Sequence, residues 1–467
     1  MSAIFLIGMT SSRQPIPINS LCAAAFLIIV QWTNEIFSPG FQLSFLVVAA
    51  ILLLALPLHD LIRRHCHPDP FVPRQLWSDW QKRAWEAVEN LGVLASVSLA
   101  AWVGSLPLTL LYFHLVSFSA LPANLLIVPL AFVIMVTAVL ALVGGLFWET
   151  LAAIFNSANW VFSKLLLGIV HLMSCLPASF LYVGSPAPAP VTVTVFDFGA
   201  GGAAGIESDG KVWLLDCGPK WQFEGVVMPW LHSRGKSTPD GLVLTHGDAR
   251  HIGGAAELIE TDPPGVVVES VLDDRSSQRH QIKKRLEELR IPKSLHRAGD
   301  SVRISKDATL KVLYPPAGIL RDVADDKTFV VRLDTAGGRI LFLSDAGPPT
   351  LEWLLNNAAP ELIADILVKG AHRSGIPMDT AFADAVQPRL IVSTAASFPE
   401  SEHLDDRWIS LIESRGIRVF RQNVTGAVRI DLRQSGFQAS GFFDGSRFSA
   451  PLKANGGQSA PNKGSGL

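Results

Sequence analysis

The sequence predicts a multi-pass α-helical membrane region followed by a water-soluble α/β domain. Of the 467 residues, 49% are hydrophobic and only 17% are charged, whereas a typical soluble protein carries about 25% charged residues. The apolar excess lies almost entirely before residue 190, and the rest of the chain has the composition of a soluble domain. We therefore expect a membrane region over residues 1–185, a folded domain over 190–450 and a disordered, Gly- and Ser-rich tail over 451–467.

Charge and cysteine usage narrow the possible functions. The formal net charge is −2, so no overall basic field indicates nucleic-acid binding. The four cysteines lie far apart and form no C-x-x-C pair. This spacing excludes a disulfide framework and a cysteine-based zinc site.

Long charge-free stretches predict the membrane-spanning helices. A spanning helix needs about 20 predominantly apolar residues. Residues 90–148 contain no Asp, Glu, Lys or Arg, which leaves room for two spans. In all, the sequence predicts five spans, at about 18–33, 41–58, 91–115, 121–147 and 155–178. Because Lys164 and His171 could reach the headgroups, the last segment could instead lie flat at the membrane surface.

The first residues and the basic loops predict how the membrane region begins and how it is oriented. The apolar segment 3–9 is too short to span a bilayer, so we expect a truncated chain whose first span is partial or missing. Loop 59–90 is rich in Lys and Arg, whereas loop 34–40 has none. Basic loops favour the cytoplasm. Counting spans from there places the C-terminal domain outside the cytoplasm, unless Pro107 makes the third segment re-entrant.

Several polar residues interrupt the predicted spans. Gln42 and Ser44 lie in the second span, and Asn124 lies in the fourth. Polar groups in a bilayer usually face a protein interior or a water-filled path, so these residues are candidates for lining a channel. The alternative is that they form hydrogen bonds between neighbouring helices.

The C-terminal half alternates strand-like and helix-like segments. The runs VTVTVFDFG (191–199), KVWLLDCG (211–218) and GLVLTHGD (241–248) are typical of strands, and each ends in Gly or Asp. Residues 249–260 begin a helix, and 276–290 form an amphipathic one. Five further strand-like runs follow, so we expect an α/β sandwich with its chemistry at the strand ends.

A candidate metal site follows one of these strands. In T-H-G-D-A-R-H-I-G-G (245–254), His246, Asp248 and His251 come directly after an apolar strand. Histidine and carboxylate ligands suit Zn²⁺ or Mn²⁺. Later strand ends and loops offer Asp345, His372 and, as a further candidate, His403, and Asp216 ends another strand near the same edge. We expect these side chains to meet at one edge of the sheets.

Two parts of the chain resemble known proteins. The second part, with LLDCG, LVLTHGDARHIGG, FLSDAG and DILVKGAHRSG, resembles the metallo-β-lactamase fold, an αββα sandwich. The first part, with SPGFQLSFLVVAA (38–50) and LPANLLIVPL (121–130), resembles the membrane region of the ComEC-type DNA uptake proteins of bacterial competence, which carry such a domain at their C-terminus. The resemblance implies an inner-membrane protein that binds DNA, and in active relatives a metal-dependent nuclease.

The departures from the family pattern concern the metal site. In the family's first motif a carboxylate stands where this chain has Arg250, and the paired histidines of a later motif are here His372 and Arg373. A guanidinium cannot bind a cation. We therefore expect one Zn²⁺ or Mn²⁺ ion or none rather than two, and an impaired hydrolase. Arg250 and Arg373 could instead bind DNA phosphates.

The leading hypothesis is a channel component for DNA uptake with a degenerate nuclease-like domain. Its expected partners are DNA, the lipid bilayer, other uptake machinery and further copies of the chain. If the domain is active, the expected catalytic and metal-binding residues are His246, Asp248, His251, Asp345 and His372. Two alternatives stay open, namely a membrane-tethered metallo-hydrolase with a non-DNA substrate and a catalytically dead DNA-binding module.

Overall fold

A computed structural model describes residues 16–66, 74–176, 179–185, 187–272, 276–318, 325–370, 378–394 and 404–452. The chain divides into two compact units, Met1–Val183 and Gly184–Leu467. The apolar segment 3–9 and all but the first two residues of the expected tail lie outside the described residues.

Helices dominate the first unit. They are α1 (Pro17–Gln31), α2 (Pro39–Cys66), α3 (Asp79–Phe113), α4 (Ala120–Gly145) and α5 (Glu149–Ser174). Within the described residues, α2 to α5 are long and apolar enough to cross a membrane. The first predicted span corresponds to α1, whose 15 residues extend about 22 Å, short of a hydrocarbon core of about 30 Å. All five predicted positions therefore carry helices, and four have the length of a span.

Helix α3 is continuous. It begins at a capping box in which Ser78 and Gln81 exchange hydrogen bonds, and it runs through Pro107 without a break. The structure therefore contradicts a re-entrant third segment. The short strands β1 (Leu115–Ser117) and β2 (Phe180–Tyr182) pair antiparallel after α3 and α5.

Close contacts and hydrogen bonds join neighbouring helices of this unit. Gly104 of α3 faces Ala50 of α2 so closely that a methyl group on Gly104 would overlap the Ala50 side chain. The Gln42 amide of α2 donates to the Ile36 carbonyl over 2.8 Å and accepts from the Tyr112 hydroxyl of α3, also over 2.8 Å. Small residues and polar side chains that hydrogen-bond between helices hold membrane helices together. The structure therefore favours a packing role for Gln42.

Two β-sheets form the second unit. The larger has the order β18-β17-β16-β3-β4-β5-β6-β7-β8 and the smaller the order β15-β14-β13-β12-β11-β10-β9. The strands of the larger sheet are β3 (Val191–Val195), β4 (Ala204–Ser208), β5 (Lys211–Leu215), β6 (Gly241–Leu244), β7 (Val267–Ser270), β8 (Lys293–His296), β16 (Val428–Arg433), β17 (Gly436–Gly441) and β18 (Arg447–Pro451). Those of the smaller sheet are β9 (Ser301–Arg303), β10 (Ala308–Tyr314), β11 (Val330–Thr335), β12 (Gly338–Ser344), β13 (Ile366–Lys369), β14 (Leu390–Ser393) and β15 (Arg418–Arg421).

Helices cover the outer faces of both sheets. The described helices are α6 (Lys220–Gln222), α7 (Met228–Ser233), α8 (Ala249–Ile252), α9 (Ala255–Thr261), α10 (Ser277–Glu288), α11 (Pro348–Ala358), α12 (Thr380–Val386), α13 (Asp406–Glu413) and α14 (Gln422–Thr425). The alternation of side chains along a strand separates the layers. Ile340 and Phe342 of β12 enter the core between the sheets, whereas Leu341 and Leu343 pack under the helices. This is the expected αββα sandwich.

Parallel pairing decides where polar strand ends meet. Strands β5 to β8 run parallel in the larger sheet, and β12 to β15 run parallel in the smaller one. The carboxyl ends of parallel strands lie at one edge, so the residues that follow β5, β6 and β12 come together there. The expected strand-end site therefore has its structural basis in this topology.

The contact between α2 and α3 gives a first prediction. Gly104→Ala should lower the thermal unfolding midpoint of the protein in detergent, because overpacking a close contact costs about 1–3 kcal/mol. Gly168→Ala in α5 is the matched control, since nothing lies within 4 Å of the added methyl. Equal midpoints for the two variants would contradict this packing.

Candidate metal centre

Asp216 connects the ends of β5 and β6. It follows β5 in the left-handed conformation, with φ of 61°. Its carboxylate accepts hydrogen bonds from the Thr245 amide over 2.8 Å and from the Thr245 hydroxyl over 2.5 Å. These bonds fix the backbone immediately before His246. Asp216 is buried, so its carboxylate contacts the residues of this site rather than solvent.

His251 lies between two carboxylates. Its Nδ1 is 3.1 Å from Asp216 Oδ2, and its Nε2 is 3.0 Å from Asp345 Oδ2. Asp216 follows a strand of the larger sheet, and Asp345 follows β12 of the smaller sheet. The imidazole therefore joins the two sheets at the edge where the parallel strands end.

His246 completes a compact donor set. Asp216, His246 and His251 are buried, and each offers one ligand atom within 4.8 Å of the others. His246 Nε2 also lies 3.8 Å from Asp345 Oδ2. Mixed imidazole and carboxylate donors suit a divalent metal ion. The residues present therefore fit one ion.

Two glycines leave room around these donors. A methyl group on Gly370 would overlap Asp345 Oδ1, and one on Gly202 would lie 3.2 Å from His251 Cε1. The site therefore depends on small residues at two loop positions. This close approach is a physical reason for Gly at both places.

Asp248 is engaged by Arg250 rather than by the other candidate ligands. The Arg250 amide donates to Asp248 Oδ1 over 2.7 Å, and the guanidinium Nη2 donates to Oδ2 over 3.0 Å. Asp248 also caps helix α8. Both oxygens of this carboxylate are thus hydrogen-bonded to Arg250.

The neighbouring charges shift the pKa values of the acidic groups. Burial alone raises the pKa of Asp345, but the charge and hydrogen bond of His251 outweigh burial and lower that pKa to about 2. For Asp248, burial likewise raises the pKa, and the hydrogen bonds from Arg250 outweigh burial and lower it. Both carboxylates are therefore ionised at neutral pH.

The pKa of His251 moves in the opposite direction. Burial alone lowers it, but Asp345 and Asp216 together outweigh burial and raise the pKa well above its ordinary value of 6.5. An imidazole that donates from both nitrogens is protonated. His251 is therefore a cation between two anions when it makes both hydrogen bonds.

The structure brings together some of the predicted site residues. His246, His251 and Asp345 meet, and Asp216, which the sequence places near the same edge, joins them. Asp248 lies beside the cluster in its pair with Arg250. His372, Arg373 and His403 lie outside the described residues. Of the channel candidates, Ser44 is exposed and Asn124 is half-buried within the membrane unit, so their roles stay predictions.

Sequence reasoning missed two hydroxyl groups. The Thr245 hydroxyl lies 3.0 Å from His246 Nδ1 and 3.1 Å from the Ser344 hydroxyl. The second of these contacts joins the two sheets. Each hydroxyl directly precedes a candidate ligand, His246 or Asp345. Their position before ligands at strand ends was the only signal in the sequence that could have found them.

Comparison with protein families agrees with this architecture. Residues 1–204 match the family described as "Competence protein". Residues 205–357 match the "Metallo-beta-lactamase superfamily". The chain has the ComEC-type order of a competence region followed by a metallo-β-lactamase domain. The competence match and the four apolar helices suggest a membrane protein, and the metallo-β-lactamase match with its buried donor set suggests a metal ion.

Two characterised relatives are similar over much of the chain. "ComE operon protein 3" of Bacillus subtilis is 23% identical over 92% of this chain and 60% of its own length. "Competence protein ComA" of Neisseria gonorrhoeae is 22% identical over 52% of this chain and 33% of its own length. The chain therefore spans less than two thirds of the length of either relative.

Solved structures show a more distant likeness. YhfI from Bacillus subtilis, a metallo-β-lactamase fold protein, is 12% identical, with a TM-score of 0.36, over 50% of this chain and 96% of its own. Zn²⁺-bound PqqB from Methylobacterium extorquens is 12% identical, with a TM-score of 0.35, over 52% of this chain and 100% of its own. At these scores the fold assignment rests on the family match and the sheet topology.

The pKa shifts predict how the metal-free protein responds to acid. Because the pKa of Asp345 is lowered, its stabilising contribution is present above its ordinary pKa of 3.8 and is lost as the pH falls towards 2, an effect of about 2 kcal/mol. The raised pKa of His251 gives stability that is present below 6.5 and lost only at higher pH. In detergent with a chelator at pH 5, the unfolding midpoint of Asp345→Asn should therefore be lower than that of the wild type.

The same titration has an internal control. The gap between the wild type and Asp345→Asn should narrow as the pH falls from about 5 towards 2, because protonated Asp345 loses its ion pair with His251. Asp307→Asn at an exposed position is the matched control for a carboxylate outside the site. A gap that stays constant across this range would contradict the assigned pairing.

Proposed function

We propose that the chain takes part in DNA uptake across the inner membrane during natural transformation. It acts as a channel component whose C-terminal domain is nuclease-like but has a degenerate metal site. The observation that carries the proposal is a competence region joined to a metallo-β-lactamase domain in which Arg250 pairs with Asp248. The names of the two relatives, both competence proteins, support the same role.

The proposed orientation places the C-terminal domain outside the cytoplasm. The basic loop between α2 and α3 supports this side through the positive-inside tendency. In that orientation the domain meets incoming DNA before the membrane region does. Gln42, Ser44 and Asn124 are the candidates for lining the path, although the hydrogen bond between Gln42 and Tyr112 supports a packing role for Gln42.

We assign a single ion, Zn²⁺ or Mn²⁺, to the metal site. His246 and His251 would hold it, with carboxylate ligands from Asp345 and Asp216. When bound, such an ion lowers the pKa of a bound water and polarises a phosphate. The chain's own contribution is positional, since the Thr245 hydroxyl orients both Asp216 and His246 through hydrogen bonds.

A second ion is disfavoured by the same residues. Two-metal hydrolysis uses ions about 3.5–4 Å apart to hold the attacking and leaving oxygens. Arg250 places a positive charge beside that position and occupies the Asp248 carboxylate. Hydrolysis of phosphodiesters would therefore be weak or lost, while a positively charged contact for DNA phosphates is retained. His372 and Arg373 remain candidates for the same site.

Arg250→Asp tests the degenerate site. The wild-type chain should bind at most one Zn²⁺ or Mn²⁺ ion, and Arg250→Asp should bind one more, because the change removes a repelling charge and adds a ligand. Arg250→Gln is the matched control, since it releases Asp248 without adding a carboxylate. Elemental analysis of the detergent-purified chains, with DNA nicking on the same samples, gives the readout. Two ions and cleavage in the wild type would refute the impaired-site proposal.

Uptake itself is the second test. Deleting the gene that encodes the chain should abolish entry of labelled DNA into the nuclease-protected cytoplasmic fraction of the host. Expression of the wild-type chain should restore this entry. Asn124→Leu should reduce the restored uptake if this amide lines the path, with Asn357→Leu in α11 as a control outside the membrane region. Normal uptake after deletion would remove the transport role, and normal uptake with Asn124→Leu would remove the lining role.

A further inference from the structure

A polar cavity opens beside the loop 245–254, which carries His246 and His251. It has a volume of about 80 Å³ and lies between the end of β7, the first turns of α10 and strand β8. The polar residues that line it are Glu269, Ser270, Arg279, His280, Lys283 and Lys293. Neither the family resemblance nor the metal site accounts for it.

Arg279 and Glu269 are buried in this cavity without full hydrogen bonding. Arg279 is 7% exposed and Glu269 is 6% exposed. Arg279 Nη2 lies 3.9 Å from Glu269 Oε2, too far for a hydrogen bond. Among the described residues, neither Arg279 Nη2 nor Glu269 Oε1 has a hydrogen-bond partner. Burying charged groups in this way is costly unless a further group satisfies them.

The charge of the cavity indicates an anionic ligand. Arg279, Lys283 and Lys293 contribute three positive charges to the described lining, and Glu269 contributes one negative charge. Lys293 also pairs with Glu287 of α10, which lies 3.7 Å away and outside the lining. The Ser270 hydroxyl accepts a hydrogen bond from the Leu272 amide over 3.1 Å, so its own hydrogen is available to donate. The Arg279 guanidinium, whose Nη2 has no hydrogen-bond partner among the described residues, and the Ser270 hydroxyl are typical donors to a phosphate oxygen.

The cavity is joined to the metal loop. Glu269 of β7 pairs in register with Leu244 of β6, two residues before His246. The Ser276 hydroxyl, at the start of α10, donates to the Gly247 carbonyl over 2.6 Å. Neighbouring strands are about 4.8 Å apart. The cavity and the loop that carries His246 are therefore joined both through neighbouring strands and through the start of α10.

We propose that this cavity binds a phosphate group of a nucleic-acid strand, next to the metal centre on the same sheet edge. The inference rests on the proposed function for the nature of the strand, but the phosphate site stands on its own contacts. The lining of the cavity also divides the basic residues of α10 into two groups. Arg279 and Lys283 line the cavity, whereas Lys284 and Arg285 face Glu288, which lies 3.8 Å from Lys284 Nζ and 2.9 Å from Arg285 Nη1.

The test measures binding of two probes to the full chain in detergent with a chelator present. The probes are a fluorescein-labelled oligothymidylate and inorganic phosphate, the latter as a competitor and in thermal shift. Glu269→Gln should tighten binding of the oligonucleotide because it removes the acidic group. Adding Arg279→Gln to Glu269→Gln should weaken binding several-fold and reduce the salt dependence by about 0.7 in log–log slope, the value for one lost phosphate contact on a single strand.

The variants are chosen so that a folding failure does not imitate the result. Arg279→Gln is compared in the Glu269→Gln background, where no buried carboxylate is left unpaired. Lys284→Gln is the matched control on the same helix and should bind as the wild type does. The inference is overturned if the double variant binds as tightly as Glu269→Gln, or if Lys284→Gln loses as much.

The two probes separate the possible sources of the phosphate and the two proposals. Competition by inorganic phosphate together with tight oligonucleotide binding supports a strand-binding site. Stabilisation by inorganic phosphate without oligonucleotide binding overturns the strand assignment and identifies a free-phosphate site. Because the assay needs neither metal nor transport, intact binding in a protein that does not support DNA uptake would refute the proposed function alone.

Discussion

The bridge from Asp216 through His251 to Asp345 is the interaction on which the second unit depends for its chemistry. It connects a strand end of the larger sheet to a strand end of the smaller one. The surrounding sandwich is held by apolar packing, which does not specify where polar groups lie. The bridge specifies this, because a buried imidazole that loses either carboxylate leaves a charge without compensation. The same two hydrogen bonds of His251 therefore fix both the geometry of the site and the alignment of the two sheets at this edge.

The same bridge couples metal binding to protonation. A metal ion needs a lone pair on a histidine nitrogen, whereas His251 donates from both nitrogens when it joins the two carboxylates. Binding of an ion through His251 would therefore release a proton, as is general for histidine ligands. The carboxylates that stabilise the cation in the metal-free protein would then be the ligands for the ion. This exchange of one cation for another explains how three ionised groups can be buried together.

Much of this architecture could be predicted from the sequence, and the failures have physical causes. Strand-like runs that end in Asp or His correctly predicted a polar edge, because parallel strands must place their ends together. The sequence did not reveal that Asp248 would pair with Arg250, since a contact between residues two apart depends on side-chain conformation in a tight turn. It also placed the end of the first predicted span at residue 33, whereas α1 ends at Gln31, before the turn at Thr33–Phe37.

The contrast between Arg250 and Arg279 shows how similar residues can serve different purposes. Arg250 is partly exposed and already hydrogen-bonded to both oxygens of Asp248, so part of its hydrogen-bonding capacity is used within the loop. Arg279 is more deeply buried and has a carboxylate nearby that it does not reach by a hydrogen bond. Two changes follow for a phosphodiester strand at this edge. Under the two proposals, its hydrolysis would be disfavoured where the second ion would lie, and its binding would be favoured one strand away. A domain built in this way would keep contact with DNA without hydrolysing it.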